Sequence, residues 1–203
     1  MTTTAVPEAS IHRSNRERTT ATRTRLLEAA LAALVEVGYA KASTVEICKR
    51  ADAPRGTLLH HFPTRSSLMC AAIGYVWEKR LGELKTAFAT IGHDTSEDAR
   101  SGHAVELLWQ MYSGPTYDAW MELVVAARTD AELRSELRAV WRKFDARLQS
   151  SFTELFPASA SPTGTNPHSA QLTFAVLNGL ALDRIFRTPE DLAPVVDSLK
   201  SLV

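Results

Sequence analysis

The chain has 203 residues, of which 45% are hydrophobic and 23% charged, and its 23 Lys and Arg residues balance its 23 Asp and Glu residues. This composition is ordinary for a soluble globular protein, and no apolar run approaches the ~18–20 residues that a membrane-spanning helix needs. The polar start of the chain lacks the apolar segment of a secretory signal, so a membrane-embedded class is excluded and we expect a cytoplasmic protein.

The zero net charge hides a difference between two parts of the chain. Residues 1–65 contain ten Lys or Arg against six Asp or Glu, whereas residues 66–203 contain thirteen against seventeen. Such a charge difference suggests that the basic part binds nucleic acid and the acidic part does not. A basic surface that is simply solvated is the alternative. Residues 1–18 are poor in apolar side chains, and we predict that they form a disordered basic arm.

The first two predicted helices follow this arm. The segment "TRLLEAALAALVEVG" has leucines at i, i+4 and i+7 from Leu27, which gives it one apolar face, and Gly38 ends the helix. Ser43 caps a short second helix, "TVEICKRA", in which Glu46 at the third helical position completes a capping box.

A third short helix, "RGTLLHHF", follows the turn "DAPR", where Asp52 tolerates the turn conformation and Pro54 fits a first helical turn. The segment "FPTR" ends this helix, and a long fourth helix runs from about Ser66 to Lys85. Two short helices joined by a tight turn behind a supporting helix form a helix-turn-helix pattern.

The remainder of the chain is also predicted to be helical. Apolar residues recur at helical spacing in five further segments, and a proline-containing loop, "PASASPTGTNPH", precedes the last two of them. No strand pattern and no internal repeat occurs in the sequence. We therefore predict an all-α chain of about nine helices.

The adjacent His60 and His61 raise the question of a metal or catalytic site. They point about 100° apart on a helix, and no further Cys or His pair lies nearby to complete a zinc site. The segment also lacks a nucleophile or paired acid in a pocket. We therefore predict no metal, no cofactor and no catalytic residue here, which leaves ordinary helix residues or a nucleic-acid surface as the alternatives.

The chemistry of the third helix favours the nucleic-acid surface. A helix in the major groove presents its N-terminal residues to base edges, while its sides meet phosphates. Arg55 at the helix start can donate twice to guanine, Gly56 lets the backbone approach closely, and Thr57 can bond a base or a phosphate. His60 can donate to a phosphate.

These segments together resemble the DNA-binding domain of the TetR (tetracycline-repressor-like) family of bacterial transcription regulators. The resemblance covers about residues 20–75 and rests on "TRLLEAALAALVEVGYA" followed by "ASTVEICKRADAPRGTLLHHFPTRSSLM". It implies a ligand-responsive repressor without enzymatic activity. By the same resemblance, residues 19–66 form a helix-turn-helix DNA-binding domain, and residues 67–203 form a helical ligand-binding and dimerisation domain.

Carried over by position, the resemblance implies DNA contacts from three helices. Ser43 and Thr44 match the start of the second helix, where the family touches phosphate, and Arg65 matches the basic residue that opens the fourth helix. The remaining candidates lie on the recognition helix: Arg55, Gly56, Thr57, Leu59, His60 and His61.

Three positions depart from the family pattern. Asp52 replaces the usual turn glycine, Pro54 replaces the usual capping serine, and Leu59 replaces the usual tyrosine. Because leucine cannot form a hydrogen bond, Leu59 either touches a thymine methyl or makes no contact, so the family's operator preferences do not carry over. Leu58 and Phe62, one helical turn apart, still anchor the helix.

The large aromatic side chains favour a small-molecule cavity in the second part of the chain. Aromatic groups with polar tips often line such cavities, with plain core packing as the alternative. Arg128, which ends the apolar run "MELVVAARTD", either anchors an acidic ligand, lies at a solvated helix end or pairs with Asp130. The candidates for contact with an effector of unknown identity are Trp77, Trp109, Tyr112, Trp120 and Arg128.

The last two predicted helices form a candidate homodimer interface. In the family, these helices of two subunits form a four-helix bundle about a two-fold axis, which sets the recognition helices ~34–36 Å apart. An internal core helix is the alternative. Within "LTFAVLNGLALDRIF", the residues on the candidate face are Leu172, Val176, Gly179 or Leu180, and Asp183.

Two other functions stay open from the sequence. A DNA-binding regulator without a small-molecule effector would have a filled core in its second domain. An all-α enzyme would need a convergent set of groups, and His103, Glu106 and Asp118 match no recognised spacing. The basic arm either adds contacts to phosphates and the minor groove or is simply disordered.

Overall fold

The computed structural model describes residues 8–89, 97–155 and 169–201, and within them it contains nine helices and no strand, which confirms the predicted fold class. None of these helices is both long enough and apolar enough to cross a membrane. The helices are α1 (Glu8–Lys41), α2 (Thr44–Ala51), α3 (Arg55–His61), α4 (Arg65–Ala89), α5 (Glu97–Tyr112), α6 (Pro115–Ala126), α7 (Ala131–Leu155), α8 (Ser169–Asp183) and α9 (Pro189–Lys200).

The start of α1 differs from the sequence-based prediction. The helix begins at Glu8, so residues 8–18 are helical rather than part of a disordered arm. No glycine or proline interrupts residues 8–37, and glutamate, alanine and arginine are good helix formers, so the helix extends upstream of its buried part. The rest of the predicted arm, residues 1–7, lies outside the described residues.

The end of α1 is a kink at Gly38, where the sequence predicts the helix to stop. Gly38 has φ of 73° and ψ of 168°, and a single turn then leads to Lys41. This φ lies in the region that residues with a Cβ atom rarely adopt, so glycine is the natural residue for the kink. The kink directs the chain into α2.

The helices α2 and α3 form a helix-turn-helix unit. The Ser43 hydroxyl accepts a hydrogen bond from the Glu46 backbone N–H at 3.2 Å, as predicted for an N-cap. The predicted capping box is only half formed, because the Glu46 carboxylate instead binds Arg50 at 2.7 Å. Arg50 also binds Glu36 of α1 at 2.6 Å, and this second contact joins α2 to α1.

The turn between α2 and α3 depends on Asp52. Its φ of 46° and ψ of 53° are left-handed, and among the described residues it is the non-glycine residue with positive φ. Its backbone N–H caps α2 through the Cys48 and Lys49 carbonyl oxygens. Aspartate adopts this conformation more readily than most residues with a Cβ, which explains why it can replace the glycine usual in the family.

One apolar core draws side chains from all nine described helices, from Leu26 in α1 to Leu199 in α9. The long helix α4 packs on both α1 and α7, and α6 packs on α1 and α7. The last two helices, α8 and α9, pack on α5. The helix-turn-helix unit is therefore joined to the remainder through α1, α4 and α6.

Candidate DNA-binding surface and ligand cavity

The third helix lies on the surface and is held by two apolar anchors. Leu58 is fully buried and Phe62 is 3% exposed, as the sequence predicts for the inward side of the helix. On the outward side, Leu59 is 44% exposed and His60 is also exposed. The helix therefore presents a mixed polar and apolar face to solvent while its own position is fixed.

The first turn of α3 is accessible to a large partner. Arg55 and Gly56 are exposed and Thr57 is half-buried. A Cβ atom built on Gly56 would meet no neighbouring side chain or other element within 4 Å, so the packing of the fold does not require glycine at this position. A glycine that packing does not require is consistent with the prediction that Gly56 lets DNA approach the backbone closely.

The start of α2 lies at the surface as well, but Arg65 has an internal role. Ser43 is exposed and Thr44 is half-buried, so both can reach a phosphate. The Arg65 guanidinium instead donates to the backbone carbonyl of Ala42 at 2.9 Å and to that of Tyr39. Its carbon atom also lies 3.9 Å from the centre of the Tyr39 ring. Arg65 therefore ties α4 to the segment between α1 and α2, a role that its sequence position does not indicate.

Sequence reasoning missed Arg23, which lies beside the recognition helix. Its guanidinium carbon is 5.2 Å from the centre of the Phe62 ring. Partial burial, together with the positive charges of His60 and Arg23, lowers the pKa of His61. A phosphate placed here would oppose that effect, since it favours the charged imidazole. Arg23 and Phe62 are 39 residues apart in the chain (62 − 23), so no local sequence pattern indicates that they lie together.

Four large rings meet between α4, α6 and α7. The centre of the Trp77 ring lies 4.5 Å from those of both Trp120 and Phe144, and 5.8 Å from that of Trp141. The Trp120 and Trp141 rings stack at 5.6 Å with an angle of 20° between their planes. Trp77 is only 8% exposed, so it forms the centre of this aromatic cluster.

The cluster forms one wall of a small cavity, which we call the enclosed cavity. Its volume is about 40 Å³, space for a few water molecules. The Tyr117 hydroxyl at its edge donates to the side-chain oxygen of Asn178 at 2.8 Å, and burial raises the pKa of Tyr117 to about 12. The lining residues are Trp77, Arg80, Gln110, Met111, Tyr112, Gly114, Thr116, Tyr117, Trp120, Trp141, Phe144 and Asn178.

The structure brings together three of the predicted ligand contacts. Trp77, Tyr112 and Trp120 all line the enclosed cavity, whereas Trp109 packs against the core and lines neither this cavity nor the cleft described next. Asn178 was missed, because its α8 position becomes relevant only when α8 packs near α6. Trp141, which also lines this cavity, is not among the contacts predicted from the sequence.

A larger opening lies on the other side of Trp120 and Trp141, between α6 and α7. We call it the arginine cleft; its volume is about 560 Å³ and Arg128 is at its rim. Arg134 donates to the Ala127 and Arg128 carbonyl oxygens at 3.4 and 3.1 Å and so closes the end of α6. The lining residues are Trp120, Val124, Ala127, Arg128, Arg134, Leu137, Arg138 and Trp141.

Helix α6 also contacts the end of α1. The Tyr39 backbone N–H donates to the Glu122 carboxylate at 3.0 Å. The same carboxylate oxygen would lie 3.0 Å from a Cβ atom at Gly38, so the kink leaves just enough room for it. Residues 38–43, from the kink of α1 to the cap of α2, are called the α1–α2 connection below. Since Trp120 lies two residues before Glu122, α6 contacts both the aromatic cluster and this segment.

The candidate dimer face is largely exposed. Leu172 is 56% and Val176 40% exposed, and Gly179 has open space where a Cβ would lie. Asp183 is at the same side and pairs with Arg187 at 3.6 Å. Leu180, in contrast, is 8% exposed and packs inside the subunit, so it does not belong to this face. Further exposed apolar side chains follow it: Leu182, Ile185, Phe186 and Val195.

The groups considered for catalysis are engaged elsewhere. Glu106 of α5 binds Lys200 at 2.6 Å, and Asp118 of α6 binds Arg184 at 3.2 Å. Within the described ranges, no three His, Cys, Asp or Glu side chains are arranged to hold a metal ion. Burial raises the pKa of the Cys70 thiol to about 12, so this thiol is not an activated nucleophile.

Comparison with known proteins agrees with this geometry. Residues 26–72, within α1–α4, match the family model described as bacterial regulatory proteins, tetR family. An HTH-type transcriptional regulator of Mycobacterium tuberculosis is 31% identical over 172 residues, which cover 85% of this chain and 87% of the relative.

Solved structures share the fold over about nine tenths of the chain. The multidrug binding protein EbrR, complexed with ethidium, is 25% identical with a TM-score of 0.65, covering 90% of this chain and 98% of that one. A TetR-family transcriptional regulator from Mesorhizobium loti has a TM-score of 0.70 at 15% identity, covering 91% of this chain and 96% of that one. At that identity, the second likeness concerns the fold alone.

Gly56→Ala tests the exposed first turn of α3. We expect the variant to be slightly more stable, because alanine favours the helix and its Cβ meets no atom within 4 Å. We expect its affinity for a duplex selected by the protein from a random library to fall by about 1–3 kcal/mol, because the Cβ keeps the backbone from DNA. Fluorescence anisotropy and thermal unfolding measure the two effects.

The matched control is Gly82→Ala, since Gly82 also has open space around its Cβ position and lies roughly 25 Å along α4 from its start. This control should keep full affinity for the duplex. Unchanged binding by Gly56→Ala, or an equal loss in both variants, would contradict the assignment of α3 as the DNA-reading element.

Proposed function

This chain belongs to the tetR family of bacterial regulatory proteins, and we propose that it is a homodimeric repressor that releases operator DNA when a small molecule binds between its helices. The observation that carries the proposal is the position of α6. Its Trp120 lines both the enclosed cavity and the arginine cleft, and its Glu122 binds the α1–α2 connection. A ligand that moves α6 therefore acts directly on the segment that orients the helix-turn-helix unit.

Residues 19–66 provide the DNA-binding domain in this proposal. Arg55, Gly56 and Thr57 read base edges in the major groove, while Ser43 and Thr44 hold a phosphate. Leu59, His60 and His61 complete the surface of the recognition helix. Arg65 contributes by fixing α4 to the α1–α2 connection, so its effect on DNA affinity is indirect.

Residues 67–203 provide the ligand-binding and dimerisation domain. Helix α8 and the turn after it carry a patch of exposed apolar residues, which is uncommon on the surface of a monomer. In this proposal a second copy of the chain packs on the patch and buries it. Phe186 is 85% exposed and Ile185 74%, which makes them the strongest contributors. A two-fold axis through this face gives the two α3 helices the symmetry of a pseudo-palindromic operator.

The effector occupies the space around the Trp120 and Trp141 pair. A related solved structure, EbrR, holds ethidium, which is a flat aromatic molecule. Stacked indole rings offer the same kind of surface in this chain. Ligand binding and DNA binding then oppose each other through α4 and α6, with a coupling free energy that in such systems is typically ~1–3 kcal/mol.

A second candidate is a TetR-family regulator that has no small-molecule effector. The enclosed cavity favours it, because about 40 Å³ is too small for a drug-sized molecule and the four rings already fill the space between helices. The two candidates share the DNA-binding surface and the dimer. They differ in whether any compound changes operator affinity.

DNA binding itself is tested with the full chain and duplexes from the promoter beside its own gene. We expect specific binding whose affinity falls steeply with salt concentration, because Lys and Arg side chains displace counterions from phosphates. Electrophoretic mobility shift at rising salt measures the slope. Binding that is absent, or equal for specific and scrambled duplexes, contradicts the regulator proposed here.

Glu122→Ala tests the contact between α6 and the α1–α2 connection. We expect operator affinity to fall by about 1 kcal/mol, because the Tyr39 N–H loses its partner and the helix-turn-helix unit is less firmly oriented. The matched control is Glu83→Ala, which removes a surface ion pair with Arg80 inside α4. Equal affinities of both variants and wild type, measured by anisotropy, would rule out this route of coupling.

Val176→Asp tests the dimer face. Introducing a charge into the apolar surface of α8 should shift the chain from dimer to monomer and weaken operator binding at low protein concentration. The control, Val125→Asp, alters an exposed valine of α6 outside that face and should stay dimeric. Analytical ultracentrifugation distinguishes the two; a dimeric Val176→Asp variant would place the interface elsewhere.

A further inference from the structure

The arginine cleft has a charge pattern that selects among ligands. Its floor is apolar, formed by Val124, Ala127 and Leu137 with the stacked Trp120 and Trp141 at one end. Its charged lining residues are Arg128, Arg134 and Arg138, and no acidic residue lines it. At about 560 Å³ it has the size of a small-molecule site.

The ion pairs of the described residues do not include the three arginines of the cleft. No described carboxylate forms an ion pair with Arg128, Arg134 or Arg138, and Arg134 is the one of the three with a described hydrogen bond, to two backbone carbonyl oxygens. Asp130 accepts from the Leu133 backbone N–H at 2.9 Å and so caps α7. The pairing of Arg128 with Asp130 considered from the sequence is therefore not seen.

We propose that the effector is an organic anion with a flat apolar body, bound in the arginine cleft. The body stacks on Trp120 and Trp141, while Arg128 and Arg138 hold a carboxylate, sulfonate or phosphate group. The proposal rests on the ligand-responsive function above and adds the chemical class of its ligand. Guanidinium groups suit this task, because their planar donors match the oxygen atoms of such anions.

The cleft also explains how a ligand outside the enclosed cavity acts on α6. Trp120 and Trp141 form the shared wall of the two spaces, so a ring that stacks on them presses on the aromatic cluster around Trp77. The cluster has little free volume, and packed side chains transmit such a displacement rather than absorb it. The displacement reaches Glu122 along α6.

Three probes of nearly equal shape test the charge preference on the full-length wild-type protein. They are 2-naphthoate, its neutral analogue 2-naphthamide and the cation 2-naphthylmethylammonium. Isothermal titration calorimetry gives each affinity, and we expect the acid to bind about tenfold or more tightly than the amide, with the amine weakest. Rising salt should weaken the acid's binding and leave that of the amide unchanged.

Arg128→Gln should reduce the acid-to-amide preference to about threefold or less, because it removes one of the two guanidinium groups at the anion. Arg142→Gln is the matched control, since Arg142 is exposed on the same helix, α7, but lies outside the cleft. Thermal unfolding of both variants verifies that they fold. Near-ultraviolet circular dichroism of the tryptophans then reports whether the probe stacks on the indole pair.

An acid that binds no better than the amide, an amine that binds best, or no binding of the acid at millimolar concentration overturns the anion assignment. An effect of Arg142→Gln equal to that of Arg128→Gln also overturns it. Failure of the proposed regulator is recognised separately, because the mobility-shift experiment on promoter DNA uses none of these probes. If the protein binds its promoter but the cleft binds no anion, the proposed regulator stands and the anion assignment is wrong.

Discussion

The helix-turn-helix unit is held to the rest of the chain by the packing of α1 on α4 and α6, and a hydrogen bond from the Tyr39 N–H to Glu122 of α6 joins this contact near the end of α1. The Gly38 kink directly precedes that N–H. A Cβ atom at position 38 would lie 3.0 Å from the Glu122 carboxylate oxygen, so glycine leaves room for the hydrogen bond. Arg65 holds the other side of the same segment through two backbone carbonyl groups and the Tyr39 ring. The orientation of α2 and α3 is thereby fixed from both α4 and α6.

The same two helices, together with α7, carry the aromatic cluster, so the cluster lies on the helices that hold the α1–α2 connection. Trp77 lies on α4 and Trp120 on α6, and their ring centres are 4.5 Å apart. The enclosed cavity is almost filled, so of the two spaces that Trp120 and Trp141 line in the described part of the chain, the arginine cleft is the larger. In the proposal made above, the charge of the cleft selects the ligand, and the packing of the aromatic cluster transmits its binding to α6.

The sequence predicted what is local and missed what depends on tertiary packing. Helix periodicity, Gly38 and the Ser43 cap are encoded within a few residues, so the all-α fold and the helix-turn-helix unit followed directly. Arg65 was predicted from the sequence to contact DNA, and in the fold its guanidinium is bound to backbone groups more than twenty residues earlier in the chain. Likewise, the burial of Leu180 and the absence of Trp109 from both ligand spaces depend on how distant helices pack.

Amide hydrogen exchange at Tyr39, compared between the free protein and its complex with promoter DNA, tests the central claim most directly. If the Glu122 contact belongs to the state that binds DNA, linkage requires that DNA stabilise the contact in return. We therefore expect exchange at Tyr39 to slow in the complex together with exchange in α2 and α3. Slower exchange in α2 and α3 with an unchanged rate at Tyr39 would contradict the coupling described for this fold.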